Sequence, residues 1–573
     1  MKHFVNLCFI TFGMVLLGIV PSWAQKTTAN DALRQLIEMY HADRGNLQRF
    51  YTIDHSPERR ERFKALAQSY LSQLQPIDYN ALDAGGRVDY LLIKRDWEDV
   101  LYQCQEEATA FQQLANWFPF AQVIYDAEKA RRRGLMPDSP KLASELNQCV
   151  KQIAGLQAKL KETKTLTKDL SNRGSRIALG LKSALNSVFS FYNGYDPMFT
   201  WWMAKPYAEL DSVLKGYSTA FLKATTVSSQ VKNDASGIVG NPIGKEELTR
   251  KLKLEMIPYS PEELVEIANK EFAWCDAEML KASREMGFGD NWKAALEKVK
   301  QTAVPPGQQP AAMVKLYEES IAFLKDNNLI TIPPLAEETW RLSMMSPERQ
   351  LVNPFFLGGE EFIVSYPTNT MTHDQKMMSM RGNNPHFSRA TVHHELIAGH
   401  GLQSFMTRRY KTYRHFETPF WVEGWSLYWE MLLYDLKFPR SAEDRVGMLF
   451  WRMHRCARII FSLNYHIGKW SPQECIDFLV DRVGHEYANA EGEVRRSFVG
   501  GYDPLYQIAY MIGGLQIRAL KDELVGTKKM TYQQFHDQFM QENKLPIEMM
   551  RAILSRKLLP KDYQTNWRFY SLK

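Results

Sequence analysis

Cysteine is scarce in this 573-residue sequence, which contains six. Cys8 lies in an apolar stretch near the N-terminus, and the other five are widely spaced with no C-x-x-C pair. A scaffold stapled by disulfides uses an even set of cysteines in a short chain, and a thiolate zinc site uses closely spaced pairs. The sequence therefore excludes both as the basis of the fold.

Long apolar runs are absent beyond the N-terminal region, so we expect no transmembrane helix, which needs roughly 20 apolar residues. The apolar run of residues 9–20 follows the lone basic residue Lys2 and precedes Ala24. This pattern is typical of a secretory signal peptide cleaved after Ala24. We therefore expect an exported protein, periplasmic or secreted, with residues 1–24 as its signal peptide and no stable membrane insertion after cleavage.

A strong excess of one charge is also absent, because 71 Lys and Arg residues against 65 Asp and Glu residues give a formal net charge of +6. Basic residues cluster only in short stretches such as residues 129–134, which are typical of a solvated helix face. We expect no nucleic-acid partner. With 45% hydrophobic and 24% charged residues, the composition is that of an ordinary soluble protein with a large core.

The pattern that is present is helical. Apolar residues recur at three- and four-residue intervals through residues 29–51, 85–118, 139–170 and 244–287, the spacing of an amphipathic α-helix. Residues 359–369, GEEFIVSYPTN, mix aromatic and β-branched residues between a Gly-Gly pair and a proline, which predicts a short strand. This strand is either an exposed edge that holds an extended peptide by β-augmentation or a local hairpin. We predict a mainly helical, all-α protein with a short β-strand or hairpin near its active site.

The most informative segment is TVHHELIAGHGLQ, residues 391–403, which nearly contains the zinc-protease motif His-Glu-x-x-His. From His394, however, the next histidine is His400, six positions on. The turn-forming Asn-Asn-Pro before Ser388 predicts that this serine caps a helix through the segment. On a regular helix of about 100° per residue, His394 and His400 point about 120° apart, whereas His393 and His400 nearly coincide.

Two arrangements bring histidines of this segment to one metal ion. A break in the helix around Ala398 and Gly399 brings His394 and His400 together, and breaks of this kind occur often at functional sites. Alternatively, His393 pairs with His400 on a regular helix. The competing interpretation is that the histidines are buried and hydrogen-bonded without any metal.

A further candidate ligand lies in the aromatic segment 415–436, where Thr418 and Pro419 predict a helix start. That helix is apolar nearly all round, so it should be buried, and Glu423 and Glu430 lie two turns apart on one face. Buried carboxylates are costly unless a cation or hydrogen-bond donors compensate them. Zinc held by two histidines and one glutamate, with one position open for water, provides that compensation. Arginines and backbone donors are the alternative.

A third segment begins at Asp503 and Pro504, which predict a helix that places Tyr506 and Tyr510 on one face. The tyrosine pair either packs in the core or faces the metal, where a phenol donates a hydrogen bond to the oxyanion formed when water attacks an amide. The His-Glu pair at 485–486 has no suitably spaced partner, and we assign it no metal.

Together, HELIAGHGLQ, EGWSLYWE and PLYQIAYMIG resemble the signature HExxPGHHxQ, EGWxLYxE and PGQAxxYxxG of the bacterial domain-of-unknown-function 885 family. That family is similar to the all-helical gluzincin zinc metallopeptidases, whose zinc site lies at the floor of a deep cleft between two helical lobes. The resemblance implies the same gluzincin-like architecture here. We expect an N-terminal helical lobe at residues 25–310 and a C-terminal catalytic helical lobe with the zinc site at residues 311–573.

Carried over by position, the resemblance implies that His394, His400 and Glu423 bind one zinc ion (Zn²⁺) per chain. It also implies Glu395 as the general base and Tyr510 as the hydrogen-bond donor to the transition state. These five residues are the predicted catalytic and metal-binding set.

Other residues receive lesser roles. Glu430 either orients a ligating histidine or is structural. Tyr506 and His393 lie beside the predicted ligands. Arg495 or Arg496 pairs with a substrate carboxylate, or both are ordinary surface arginines.

The sequence departs from the family signature, since Ala398 replaces a proline, Gly401 a histidine, and Leu505-Tyr506 a Gly-Gln pair. None of these positions carries a predicted ligand or the predicted base. We therefore predict an exported zinc metallopeptidase that acts on peptide substrates. The alternatives are a zinc hydrolase of a non-peptide amide or ester, and a non-catalytic exported helical protein that binds peptides.

Overall fold

The structure is a computed structural model that describes residues 28–163, 166–224, 234–350 and 356–572. Over these residues the chain is mainly helical, as predicted, with one small sheet. The predicted signal peptide, residues 1–24, lies outside the described residues. None of the helices in the described ranges combines the length and the hydropathy that crossing a bilayer requires.

The helices and strands are numbered in chain order. The first eleven helices are α1 Ala29–Phe50, α2 Pro57–Leu74, α3 Ala84–Leu114, α4 Ala121–Arg131, α5 Ser139–Glu162, α6 Lys168–Tyr192, α7 Pro197–Lys223, α8 Gly244–Leu254, α9 Pro261–Glu285, α10 Trp292–Lys300 and α11 Gln309–Asp326. The next are α12 Pro334–Thr339, α13 Pro347–Gln350, α14 His373–Gly382, α15 Pro385–Glu395, α16 His400–Thr407, α17 Pro419–Asp435, α18 Ala442–His466, α19 Pro472–Phe478, α20 Tyr487–Val499, α21 Tyr506–Lys521, α22 Tyr532–Gln541 and α23 Ile547–Leu554. The strands are β1 Arg341–Met344 and β2 Glu361–Val364.

Capping side chains fix where several helices begin. At the start of α9, Ser260 accepts a hydrogen bond from the Glu263 amide, and the Glu263 carboxylate accepts one from the Ser260 amide, which is a capping box. Ser441 caps α18 by accepting from the amide of Asp444. Each such cap stabilises a helix by about 1 kcal/mol, so the register of α18, which carries part of the site, is set locally.

The core consists of three clusters of buried apolar side chains. The first combines α1 to α3 with the tryptophans of α17 and with α22 and α23, so it joins chain segments on both sides of residue 310. The second packs α9, α18 and α21 together, and it also contains Phe420 and Leu427 of α17. Helix α17 therefore lies between two clusters and is buried on nearly all sides, as predicted. The division into lobes at residues 25–310 and 311–573 stays a prediction.

Helices α17 and α21 touch through glycines. A Cβ built on Gly513 would lie 2.2 Å from the carbonyl oxygen of Phe420, and a Cβ on Gly424 would lie 2.6 Å from Gly513. Only glycine permits so close an approach of two backbones. The contact sets the distance between Glu423, on α17, and the tyrosines of α21.

The small sheet is parallel. Strands β1 and β2 pair from Arg341 opposite Glu361 to Met344 opposite Val364. The strand predicted at residues 359–369 is therefore confirmed, though it is shorter. Its partner β1 is parallel and lies upstream of α13. The predicted local hairpin is reduced to a single antiparallel bridge between Leu357 and Ile363. The sequence does not predict strand β1, because its residues RLSM include none of the β-branched and aromatic residues that favour strands.

Gly513→Ala tests the contact between α17 and α21. The added methyl group has to push two backbones apart, so we expect the free energy of unfolding to fall by about 1–3 kcal/mol. Gly514→Ala is the control, because a Cβ there meets its nearest neighbours, Leu427 and Met431, at 3.4 Å. Equal stability of the two variants in urea unfolding would contradict the glycine contact.

Candidate metal centre

The helix that carries the histidines is broken, as predicted, between Glu395 and His400. Helix α15 ends at Glu395, and α16 begins at His400. The backbone leaves the helical region at Leu396 (φ −108°, ψ −118°) and at Gly399 (φ −83°, ψ −131°). A Cβ on Gly399 would lie 1.9 Å from the carbonyl oxygen of His394, so only glycine fits at this break.

The start of α15 differs from the prediction. Its first residue is Pro385, and the Asn384 side chain accepts hydrogen bonds from the amides of His386 and Phe387 at 3.0 and 3.1 Å. The predicted cap, Ser388, lies inside the helix and is buried. Asparagine caps as well as serine does, and proline is favoured at the first helical position. The helix therefore begins about one turn earlier than expected.

The break brings the three predicted ligands to one point. The distance to Glu423 Oε2 is 3.3 Å from His400 Nε2 and 3.7 Å from His394 Nε2. In the described part of the chain, these three side chains form the one cluster whose ligating atoms, all within 4.8 Å of one another, could hold a metal ion. His393 lies against the ring of Phe438 instead, and neither of its ring nitrogens has a hydrogen-bond partner. The pairing of His393 with His400 is not formed.

The donor set fits a zinc ion. Zinc binds imidazole nitrogen and carboxylate oxygen at about 2.0–2.2 Å in a tetrahedron, which puts ligand atoms about 3.4 Å apart. The distances of 3.3 and 3.7 Å to Glu423 Oε2 are close to that value. This oxygen is buried and has no hydrogen-bond partner, which is costly unless a cation satisfies it. His394, His400 and Glu423 are thus a possible metal-binding triad.

The Nδ1 atom of each triad histidine forms a hydrogen bond with a further side chain. His394 Nδ1 lies 2.6 Å from Glu430 Oε1, and His400 Nδ1 lies 2.9 Å from Gln403 Oε1. When Nδ1 carries the hydrogen and donates to these oxygens, Nε2 of each imidazole keeps a lone pair for a cation. The predicted contact between Glu430 and a histidine of the triad is therefore present.

The sequence analysis predicts no role for Gln403, yet this residue connects two helices. Its Nε2 donates to two main-chain carbonyl oxygens at the start of α17, at 3.2 and 3.1 Å. The signal for it is its position three residues after His400, one helical turn along. On the other side of the triad, the Tyr506 hydroxyl donates to Glu423 Oε1. These contacts join α16, α17 and α21 around the ligands.

The charges of the triad are strongly coupled. Burial alone lowers the pKa of His400, but the charge of Glu423 beside it raises that pKa to about 9. Burial likewise opposes the charge on Glu423, yet His400 and His394 hold the pKa of this carboxyl well below its usual range. Because an imidazole must lose its proton to bind a metal ion, uptake of an ion releases protons.

Glu395, the predicted base, follows His394 directly and lines a cavity of about 650 Å³ that the three ligands also line. The chain before β2 packs over it. The Gly359 amide donates to the main-chain oxygen of Glu395 at 3.4 Å, and a Cβ on Gly358 would lie 2.5 Å from Glu395 Oε2. Burial raises the pKa of the Glu395 carboxyl. The strand region therefore borders the cavity beside this carboxylate.

The tyrosine pair faces the ligands. Tyr510 stacks on His394, with ring centroids 6.1 Å apart and planes 16° from parallel. The guanidinium carbons of Arg455 and Arg458 lie 4.7 and 4.3 Å from the centroid of the Tyr510 ring. Tyr506 lines the same cavity. Tyr510 also belongs to the second core cluster, and Tyr506 packs against that cluster. The pair therefore packs in the core and also borders the candidate metal site.

The two predicted arginines of α20 have different surroundings. Arg495 is exposed, pairs with Glu491 at 2.6 Å and does not line the cavity. Arg496 does line it, and its Nε lies 2.8 Å from Glu493 Oε2. Arg458 Nε lies 2.7 Å from the other oxygen of Glu493. Of the two arginines, Arg496 is therefore the one that a ligand in the cavity can contact.

The His-Glu pair at 485–486 forms other contacts. His485 Nε2 lies 2.8 Å from His454 Nδ1. Glu486 forms ion pairs with Lys300 and Arg381 at 2.9 and 3.1 Å. Neither residue belongs to a metal-binding group in the described ranges.

Comparison with known proteins identifies the family. Residues 51–554 match the model of the family described as "Bacterial protein of unknown function (DUF885)", and the chain belongs to this family. No curated protein matches the sequence.

Two solved structures are similar to this one. A "putative lipoprotein of unknown function" from Shewanella oneidensis is 15% identical, with a TM-score of 0.66 over 91% of this chain and 99% of that one. A "putative lipoprotein" from Colwellia psychrerythraea is 13% identical, with a TM-score of 0.58 over 93% of this chain and 99% of that one. At these identities the likeness establishes a shared fold.

Gln403→Ala tests the hydrogen bond between Gln403 and His400. Without the glutamine oxygen the imidazole loses its orienting partner, so we expect metal affinity to fall by about 10- to 100-fold in competition with a chromophoric chelator. Thr407→Ala is the control, because Thr407 lines the same cavity but its hydroxyl bonds only to carbonyl oxygens of its own helix. Equal affinities for the two variants would show that Gln403 does not support the ligand.

Glu493→Gln tests the buried ion pairs that Glu493 forms with Arg458 and Arg496. Burial alone raises the pKa of Glu493, but the charges of Arg458 and Arg496 hold it at about 2. A carboxyl whose pKa is lower in the folded state stabilises the protein above its unfolded pKa of about 4.5. That contribution disappears as the pH falls towards 2. The lowered pKa corresponds to roughly 3 kcal/mol.

We expect Glu493→Gln to be less stable than wild type at pH 7, with a difference in unfolding free energy that shrinks by roughly 2 kcal/mol at pH 3. Glu491→Gln is the control, because Glu491 lies on the same helix and pairs with the exposed Arg495 outside the cavity. Urea unfolding at both pH values measures the difference. A difference that does not change with pH would contradict the charged Glu493.

Proposed function

We propose that this protein is an exported zinc-dependent metallopeptidase that hydrolyses peptide substrates. The observation that carries the proposal is the convergence of His394, His400 and Glu423 next to Glu395 in one cavity. Two imidazoles and one carboxylate are a catalytic ligand set for zinc that keeps a position open. A zinc ion held there supplies Lewis acidity, which polarises a carbonyl group and activates water.

Glu395 acts as the general base. It takes a proton from the attacking water and passes it to the nitrogen of the leaving amine. Its position directly after His394 and its exposure to the cavity support this role. The chain at residues 358–359 packs against it.

Tyr510 donates a hydrogen bond to the carbonyl oxygen as negative charge develops on it. Its stacking on His394 and its position in the cavity wall support this role. Tyr506 and Glu430 position the ligands, since the hydroxyl of Tyr506 donates to Glu423 and Glu430 accepts from His394. Such contacts fix ligand orientation and raise metal affinity.

An extended segment beside the base supports a peptide substrate. Leu357 bridges to Ile363 of β2 in antiparallel fashion, and residues 357–359 line the cavity next to Glu395. An extended peptide binds to such a chain by main-chain hydrogen bonds. This feature favours a peptide over a compact amide or ester.

Export is supported by two findings. The N-terminal residues have the pattern of a signal peptide. The two similar solved structures are each described as a "putative lipoprotein", and a lipoprotein is an exported protein.

Metal analysis of three proteins tests the proposal. We expect about one zinc ion per wild-type chain. Glu395→Gln should keep the metal and lose peptide hydrolysis by at least about 100-fold, because only the proton acceptor is removed. His400→Ala should lose the metal, because one of three ligands is gone. Inductively coupled plasma mass spectrometry and a fluorogenic peptide library measure the two quantities.

His393→Gln is the matched control, because His393 is the neighbouring histidine but lies against Phe438, and it should keep the metal. Wild-type hydrolysis by Glu395→Gln would refute the base. A wild-type protein without stoichiometric metal would instead support a peptide-binding protein. Cleavage of amides or esters without any peptide cleavage would favour the non-peptide hydrolase.

A further inference from the structure

More cationic than anionic side chains border the cavity. Among its described lining residues the carboxylates are Glu395 and Glu423, which both belong to the candidate metal centre. The cationic residues are Arg349, Arg408, Arg455, Arg458, Arg496 and Lys544. A cavity with such a wall attracts anionic groups, and the pairing of each cation decides where an anion binds.

Two of these cations form ion pairs with exposed carboxylates. Arg408 forms an ion pair with Glu360, and Lys544 lies 2.9 Å from Glu417. Solvent screens such pairs. These two cations are already paired with carboxylates.

Near Tyr506 and Tyr510, three arginines form the part of the cavity lining that we call the cationic wall. Their guanidinium groups share two carboxylates. Arg455 lies 3.4 Å from Glu430, while Glu493 bridges Arg458 and Arg496 at 2.7 and 2.8 Å. Arg458 and Arg496 therefore share one carboxylate. A guanidinium that shares its carboxylate can also pair with an anionic ligand.

Two nearby histidines do not change this balance. His454 Nε2 lies 3.9 Å from Glu493, and His485 contacts His454. Burial lowers the pKa of His454 well below its usual range and that of His485 to about 3. Both imidazoles are therefore neutral at neutral pH.

Arg496 is the member of this group that a ligand can contact. Its side chain is 18% exposed, against 3% for Arg458 and 6% for Arg455. Its ion pair with Glu493 is made through Nε, at 2.8 Å, so its two terminal nitrogens are the groups left for a ligand in the cavity. Two parallel N–H groups on a planar guanidinium match the two oxygens of a carboxylate.

A row of tyrosine rings leads from Arg496 to the metal centre. The guanidinium carbon lies 5.5 Å from the Tyr502 ring, the Tyr502 and Tyr506 rings lie 4.6 Å apart, and Tyr506 donates to Glu423. An extended peptide advances about 3.4 Å per residue. A carboxylate on Arg496 and a peptide bond held at the ligands can therefore belong to one extended peptide that follows this row.

We propose that Arg496 receives the C-terminal carboxylate of the peptide, and that the enzyme is a carboxypeptidase that releases a short C-terminal piece. This inference rests on the proposed peptidase function. The oxygen of water adds to the carbonyl carbon, the C–N bond breaks, and a proton from that water passes to the nitrogen. The released piece keeps its original carboxylate on Arg496. A peptide that ends in an amide cannot form this ion pair with Arg496 and is a poor substrate.

The test compares one peptide in two forms, with a free C-terminal carboxylate and with a C-terminal amide. For wild type we expect kcat/KM to be at least about 100-fold higher for the free acid. Arg496→Ala should lower the free-acid value nearly to that of the amide and leave the amide value within about threefold. Arg496→Lys, which keeps the charge but loses the planar fork, should fall between them.

Arg495→Ala is the matched control, because Arg495 is the adjacent residue of the same helix and lies outside the cavity lining. This variant should keep the full wild-type preference for the free acid over the amide. A second readout needs no turnover: in the Glu395→Gln background, calorimetry should show tighter binding of the free acid than of the amide. Adding Arg496→Ala should remove that difference. Metal content and unfolding temperature, measured for every variant, identify any that fail to fold.

Equal cleavage of both forms by wild type, or an unchanged preference in folded Arg496→Ala, overturns the carboxylate inference and leaves the peptidase proposal standing. A metal-loaded wild type that cleaves no peptide contradicts the proposed function. In that case the calorimetric comparison still decides whether Arg496 receives a carboxylate. The two failures are therefore distinguishable.

Discussion

A buried carboxylate facing two imidazoles is the interaction on which this site depends. One oxygen of Glu423 accepts a hydrogen bond from Tyr506, and the other faces His394 and His400 with no hydrogen-bond donor of its own. Taking such a group out of water is unfavourable unless positive charge compensates it. Two protonated imidazoles or one cation can do so. The proposed function depends on the cation.

Two glycines allow the fold to bring this carboxylate together with the histidines and with Tyr506. Gly399 lets the chain turn between α15 and α16, so that histidines six positions apart meet. Gly513 lets α21 approach α17 closely enough for a tyrosine hydroxyl to contact Glu423. The aromatic side chains of α17 pack into two core clusters and hold the helix between them. A rigid scaffold of this kind suits a site whose ligands come from distant parts of the chain.

Much of this arrangement could be predicted from the sequence, and the rest could not for physical reasons. Apolar periodicity identifies the helices, and the family signature with its six-residue spacing identifies the ligands and the break. The start of α15 was misplaced because Asn384 and Ser388 are equally good caps, and only packing decides between them. Pairings such as Arg458 with Glu493 join different helices and leave no periodic signal in the sequence. The cationic wall and the role of Gln403 therefore required the structure.

The most direct test of the central claim is X-ray absorption spectroscopy of the zinc-loaded protein at the zinc edge. The account predicts two imidazole nitrogens and one carboxylate oxygen from the protein at about 2.0–2.2 Å, with a further light-atom ligand in the open position. His400→Ala should then remove one imidazole or abolish the signal. Coordination by sulfur, by a single histidine, or by water oxygens alone would contradict a zinc site built from His394, His400 and Glu423.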